Sequence, residues 1–200
     1  MVDLATDEYA IGHIQSSIKL KQAILSDQAL LHRILEAVKM CVGALQQGNK
    51  IILAGNGGSA GDAQHIAAEL VGRYNYHRPG LPALSLTTDT STLTSISNDY
   101  GYDQVFGRQL QAQGKSGDVF IGISTSGNSV NILQALQQAK QLNISTIGFT
   151  GSGGTMKEIC DVCINVPSTE TPHIQESHIM IGHILCGMIE EGIFPDQKPD

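Results

Sequence analysis

LAGNGGSAGDAQHIAAEL, residues 53–70, runs from an apolar stretch through a glycine-rich turn into a segment with helical spacing. Strand, turn and helix in that order make half of a parallel βαβ unit, so this stretch sets the fold class. Its glycines let the backbone approach an anion with N–H groups turned toward it, and a helix starting there adds the positive end of its dipole. His65 and Glu69 follow four residues apart and share one face of that helix. An imidazole and a carboxylate therefore lie within one helix of a turn suited to phosphate.

Outward from this stretch the same pattern recurs. Short apolar runs KIILAG, PALSL, DVFIGIS, ISTIGFT and DVCINV are separated by loops and, in most cases, helix-like segments. Strands alternating with helices predict an α/β fold, a parallel sheet with right-handed crossovers and helices on both faces, whose ligands bind at the carboxyl ends of the strands. Helices are expected over 59–72, 90–97, 102–113, 129–141, 155–159 and 172–192. Thr171 and Pro172 suit the start of the last one as cap and first turn. Ahead of the sheet, apolar residues at three- and four-residue intervals from 9 to 47 predict a helical pair, broken near Ser26 and Asp27 and closed by Gly48.

Two hundred residues suit one domain with helical additions. The net charge of −7 gives no overall positive field for nucleic acid or an anionic membrane, so phosphate must be held locally by backbone N–H groups, hydroxyls and helix N-termini. No segment reaches the roughly 20 apolar residues of a membrane span. The first residues, MVDLATDEYA, lack a basic region followed by an apolar core, which leads to the expectation of a cytoplasmic protein with reduced thiols. Cys160 and Cys163 form a CxxC without a second pair at zinc-finger spacing, and are expected, with Cys41 and Cys186, to be ordinary buried cysteines.

A second turn, STSGNS at 124–129, follows DVFIGI and matches GNGGS at 55–59 in its small, hydroxyl-bearing character. Neither is a known nucleotide fingerprint: position 60 is alanine where GxGxxG needs glycine, and no Gly-Lys-Ser/Thr follows. Either could be merely a tight turn between strand and helix; the pair at two strand ends favours a phosphate site.

These two loops resemble those of the sugar isomerase (SIS) domain family, whose members bind phosphorylated sugars on a flavodoxin-like sheet. GNGGSAGDAQHIAAELVGRY, ISNDYGYDQVFGRQL, GDVFIGISTSGNS and HIQESHIMIGHIL together resemble the branch that isomerises D-sedoheptulose 7-phosphate to D-glycero-D-manno-heptose 7-phosphate, the first step of ADP-heptose supply for lipopolysaccharide core. The resemblance spans nearly the whole chain. It implies a three-layer sandwich with a five-stranded parallel sheet over 49–200, oligomerisation helices over 1–48, a homotetramer, and no direct nucleic-acid or membrane partner.

It further implies a zinc ion held by His65, Glu69, Gln175 and His183. Gln175 and His183 stand eight residues apart, about 12 Å along an ideal helix, so they converge only on a metal lying between them. Two nitrogens and two oxygens suit zinc, although glutamine is an unusual ligand. Substrate contacts are implied at Asn56, Gly57, Gly58, Ser59, Glu69, Asn98, Asp99, Ser124, Thr125, Ser126, Ser129 and Gln175. Catalysis falls to Glu69 as base and His183 as proton shuttle, because aldose–ketose isomerisation moves a proton between neighbouring carbons. The alternative is a tetrameric adaptor that binds the bacterial replication initiator: GNGGSAGDAQHIAA and EEGIFPDQ resemble that branch too, which lacks counterparts of Glu69 and His183. His178 points about 140° away from the His183 direction. His173 replaces an arginine common in the family and has no assigned role; His13, His32 and His77 have no partner pattern and are expected to be surface or core residues.

Overall fold

The computed structural model describes residues 7–198. Two helices lead the chain, α1 (Glu8–Ser26) and α2 (Gln28–Gln46), separated by Asp27, whose carboxylate accepts the N–H of Leu30 and so caps α2. Then come β1 (Ile51–Gly55), α3 (Gly58–Val71), β2 (Ala83–Ser85), α4 (Thr90–Tyr100), α5 (Val105–Gln113), β3 (Val119–Ile123), α6 (Val130–Gln141), β4 (Ser145–Thr150), α7 (Met156–Ile159), β5 (Val162–Asn165) and α8 (Thr171–Ile193). All strand pairs are parallel, in the order β2-β1-β3-β4-β5. This is the flavodoxin-like doubly wound order expected from the resemblance.

The central strands β1 and β3 are buried along their whole length on both faces, which is why their runs are continuously apolar instead of alternating, whereas the edge strand β2 is only half-buried. Ile51, Leu53, Ile121, Ile123, Ile147 and Phe149 face a core shared with α2, α3 and α8. Ile52, Ala54 and Phe120 face the other way, onto α5 and α6 with Phe106, Ile132 and Leu136. The structure thus has three layers, with α1 lying outside the first core and contributing only Leu20 and Ile24 to it.

Three boundaries differ from the sequence reading. The helix expected over 90–97 continues to Tyr100 and stops at Gly101, whose φ of 85° favours glycine. The segment expected as one helix over 102–113 starts with a 3₁₀ turn at Tyr102–Gln104. Finally, α8 begins at Thr171 after Glu170, and neither residue makes a side-chain cap; Pro172 falls in the first turn, where no helical N–H is lost.

Candidate active site

The site forms where α3 and α8 pack side by side. Gly58 lies against Gln175 and Ile66 against Gly182, so the two helices run parallel, in step over two turns. The close approach depends on glycine: a Cβ on Gly182 would come within 2.6 Å of Ile66 Cδ1. That proximity brings together residues 118 positions apart. His183 Nε2 stands 3.4 Å from His65 Nε2, and His65 Nε2 stands 3.1 Å from Glu69 Oε1. The ligand atoms of all three side chains lie within 4.8 Å of one another. The Tyr74 ring, 5.6 Å from that of His183, lies against the outer side.

The donor set fits a zinc-type ion. Tetrahedral zinc with ligands at about 2.0–2.1 Å sets donors roughly 3.3 Å apart, close to the two spacings observed. Two neutral imidazoles facing each other through Nε2 gain little from a direct hydrogen bond, because one must carry an unfavoured tautomer or a charge; a shared cation removes that conflict. Gln175, the fourth expected donor, lies two turns before His183 with its amide packed on Gly58: a Cβ at that glycine would fall 1.8 Å from Gln175 Nε2. The amide is therefore held at the N-terminal end of α3 by a gap that only glycine leaves.

Asp62, one turn before His65 on α3, was not singled out by sequence. Its Oδ2 is buried with no hydrogen-bond partner among the described residues, and burial pushes its pKa up to about 6, against the opposing effect of His65.

The two turns leave the sheet together, since Gly55 of β1 and Ile123 of β3 are paired in register. Asn56 ties them: its amide exchanges two hydrogen bonds of 2.9 Å with the amide of Asn131 on α6, and its Oδ1 also accepts from Tyr102 Oη at 3.0 Å. Most of the Asn56 side chain is thereby committed to the protein, leaving one amide hydrogen for a ligand. Neither Asn131 nor Tyr102 was legible as a site residue, because nothing in their spacing announces a bracing amide pair.

At the second turn, Ser124 Oγ lies 2.8 Å from Ser129 Oγ and 3.4 Å from Ser126 Oγ. Ser129 precedes α6 but spends its hydroxyl on Ser124 and does not cap the helix, so the N–H groups of the first turn stay uncapped by side chains. Gly127, at φ 66°, bends the loop so closely over Gly153 and Gly154 that a Cβ would come within 2.8 Å of the Gly153 carbonyl oxygen. Gly57, φ 56°, shares the positive φ but not the close approach, and precedes α3, which likewise has no side-chain cap. Asn98 and Asp99 sit in the exposed last turn of α4, bonded to each other at 2.8 Å.

The remaining histidines lie outside this cluster, as surface or core residues. His178 is a buried core residue with Nε2 3.2 Å from the Thr150 carbonyl oxygen, and burial lowers its pKa to about 4. His32 and His77 are exposed. His13, which has no partner pattern in sequence, packs at a tilt against the buried His173 with ring centroids 4.4 Å apart; the pair joins two helices far apart in sequence, which no local spacing reveals. Arg73 is exposed, whereas Arg78 is buried in an ion pair of 3.0 Å with Glu190.

The family profile described as the SIS domain matches residues 14–151. The phosphoheptose isomerase of Aneurinibacillus thermoaerophilus is 60% identical over 94% of this chain and 96% of its own. Phosphoheptose isomerase 2 of Campylobacter jejuni is 58% identical, over 94% of each. The solved phosphoheptose isomerase of Neisseria gonorrhoeae superposes with a TM-score of 0.87 at 42% identity, covering 92% of this chain and 98% of that one. The chain belongs to the SIS domain family, within its phosphoheptose isomerase branch.

Proposed function

We propose that the chain converts D-sedoheptulose 7-phosphate to D-glycero-D-manno-heptose 7-phosphate, at the head of ADP-heptose supply for lipopolysaccharide core in the cytoplasm. The observation that carries this reading is the meeting of His65, Glu69 and His183 on the α3–α8 seam. Glu69 and His183 are also the residues that distinguish the isomerase from the adaptor branch, so their convergence favours chemistry over scaffolding.

The phosphate sits on the hydroxyls of Ser124, Thr125, Ser126, Ser129 and Ser59 and on the uncapped N–H groups of α6, which bind an anion without a basic patch. Gly57 and Gly58 bring backbone against the sugar, and Asn56, Asn98 and Asp99 read its hydroxyls. With the phosphate anchored, the Glu69 carboxylate takes the proton from C1 of the ketose while His183 gives one to the carbonyl oxygen at C2, leaving an enediol. His183 then recovers a proton from the C1 hydroxyl and Glu69 returns one to C2, so the aldehyde forms at C1 with no net gain or loss of atoms. His65, Glu69 and His183 are the residues that would hold zinc; Gln175, whose amide rests on Gly58 two turns before His183, is the expected fourth donor that this structure does not bring to the other three. Bound there, the ion would supply a Lewis acid to polarise the carbonyl.

The exposed apolar side chains of α1, among them Tyr9, Ile11, Ile14, Ile18 and Leu25, support a homotetramer built through this helix.

The test is to incubate purified protein with sedoheptulose 7-phosphate in metal-replete buffer and after chelation, following the aldose product. Glu69→Gln and His183→Asn each lower turnover by about 10²–10⁴. Wild-type turnover in either variant overturns that residue's role, and no product from the metal-replete native protein overturns the enzymatic reading.

A further inference from the structure

A second group of potential metal donors lies outside the site described above. His13 on α1 and His173 and Glu176 on α8 place their ligand atoms within 4.8 Å of one another. His173 is only 5% exposed, and its Nδ1 is buried with no hydrogen-bond partner among the described residues. That nitrogen stands 3.4 Å from Glu176 Oε1, within reach of an ion pair but off the direction a hydrogen bond needs. Its other nitrogen, Nε2, lies 3.6 Å from Glu170 Oε2. A buried imidazole nitrogen beside a carboxylate and an exposed imidazole, without hydrogen-bonding either, is what a missing central atom would explain.

We infer that His13, His173 and Glu176 form a site for a divalent transition-metal ion that fastens α1 to α8. Two imidazoles and one carboxylate match the ligand preferences of zinc and cobalt(II), and a single carboxylate does not match the many-oxygen demand of calcium or magnesium. Three protein ligands leave a fourth position for water, and one is supplied by the open cleft of about 430 Å³ between Tyr9, Gly12 and His13 on one side and Glu170 and His173 on the other. Glu176 Oε1 already accepts from Lys21 Nζ at 2.6 Å, so a bound ion would share this carboxylate with the ammonium. Glu176 and His183 fall seven residues apart on α8, about 10 Å along the helix, so the two centres are separate.

The consequence lies in how α1 is held. Its buried residues, Leu20 and Ile24, are both in its second half. The first half touches α8 at the tilted ring contact of His13 with His173, and metal binding there would secure that half against the molecule.

The test is equilibrium dialysis of the full chain, first stripped with chelator, against zinc and against cobalt(II) with its visible spectrum recorded. Wild type, His13→Ala and His32→Ala are compared. His13 and His32 are both exposed, and His32 also has a glutamate four residues on, so it controls for casual binding by surface imidazole. The expected result is that His13→Ala holds one fewer tightly bound ion per chain than wild type, or binds it roughly tenfold more weakly or worse, while His32→Ala is unchanged. Equal stoichiometry and affinity in wild type and His13→Ala overturns the inference, as does an equal loss in both variants. Neither outcome depends on turnover, so the test stands apart from the proposed activity.

Discussion

Gly58→Ala separates the stability of this protein from its chemistry. The substitution adds one methyl group at the first residue of α3, where the backbone is ordinary for a helix and no positive φ forbids it. Helix propensity alone favours the change by a few tenths up to about 1 kcal/mol. The new Cβ, however, would stand 1.8 Å from Gln175 Nε2, 2.5 Å from Cδ and 2.8 Å from Oε1. Ordinary contact needs about 3.5 Å, so the amide must retreat by about 1.7 Å. It is the far end of a flexible side chain, and it can retreat by changing rotamer at about 1 kcal/mol. Stability therefore stays within about 1 kcal/mol of wild type, a shift in Tm of no more than about 4 °C for a chain of this size.

Activity responds differently if the Gln175 amide belongs to the site. A misplacement of about 1 Å in a positioning group costs up to about 10²-fold in rate, roughly 2.7 kcal/mol. The assay is kcat/KM for sedoheptulose 7-phosphate together with thermal unfolding, with Gly61→Ala as control: that glycine is exposed on the same helix, and a Cβ there meets nothing within 4 Å. Gly61→Ala keeps both stability and turnover. Gly58→Ala keeps stability and loses about two orders of magnitude in kcat/KM. Full turnover in Gly58→Ala refutes the placement of Gln175 in the catalytic centre, and a loss of several kcal/mol in stability refutes the argument that the amide yields cheaply.

Two further predictions concern the frame behind the site. Arg78→Ala leaves Glu190 buried without its ion-pair partner and costs about 3–5 kcal/mol, lowering Tm by roughly 6–20 °C. Burial pushes the Glu190 carboxyl up, but the N–H groups of Asn75 and Tyr74 and the Arg78 guanidinium outweigh it and hold the pKa below the ordinary value, so the stability it contributes is present above about pH 4.5 and fades as pH falls through the lowered folded pKa. Urea titrations at pH 7 and near pH 3 check this: the gap between Arg78→Ala and wild type narrows in acid, and a gap that widens contradicts it. His178 gives the second case. Burial holds its folded pKa near 4, so folding requires the neutral form and stability drains away between about pH 6.5 and pH 4, by up to about 3 kcal/mol. His178→Gln keeps a donor for the Thr150 carbonyl and flattens that part of the pH profile; an unchanged profile means that another group sets the acid limit.

The parts of the fold written in short-range pattern were legible. Five apolar runs became five parallel strands, and Asp27 marked the junction of α1 and α2 because a cap is a local interaction. The four-residue step from His65 to Glu69 was readable for the same reason. What spacing left open was every contact across helices. Whether His183 reaches His65 depends on Gly182 admitting Ile66, a close approach decided by two elements of which neither pattern mentions the other. The partnership of His13 with His173 and the burial of Arg78 against Glu190 are of the same kind. The bracing of Asn56 by Asn131 and Tyr102 was equally hidden, since a polar residue in a loop looks the same in sequence whether it greets a ligand or a neighbour.

On the proposed function, one turn serves both ends of the substrate. Gly55 and Ile123 are register partners, so the loops that follow them leave adjacent strands at the same edge, about 5 Å apart. The Asn56–Asn131 amide pair then fixes the first loop to the first turn of α6, the helix whose uncapped N–H groups suit the phosphate. From that same first loop α3 departs, carrying His65 and Glu69 on its rigid shaft. A heptose spans several carbons between phosphate and carbonyl, and the distance between cradle and base is therefore set by a helix and a sheet instead of by flexible loops, which is what near-attack positioning requires. His183, the proposed proton shuttle, stands on α8, which reaches α3 only after the chain has crossed the whole sheet to β5 and returned. The proposed acid–base pair of Glu69 and His183 thus meets only where the last helix docks on α3, since α3 by itself carries a carboxylate and an imidazole without the second histidine.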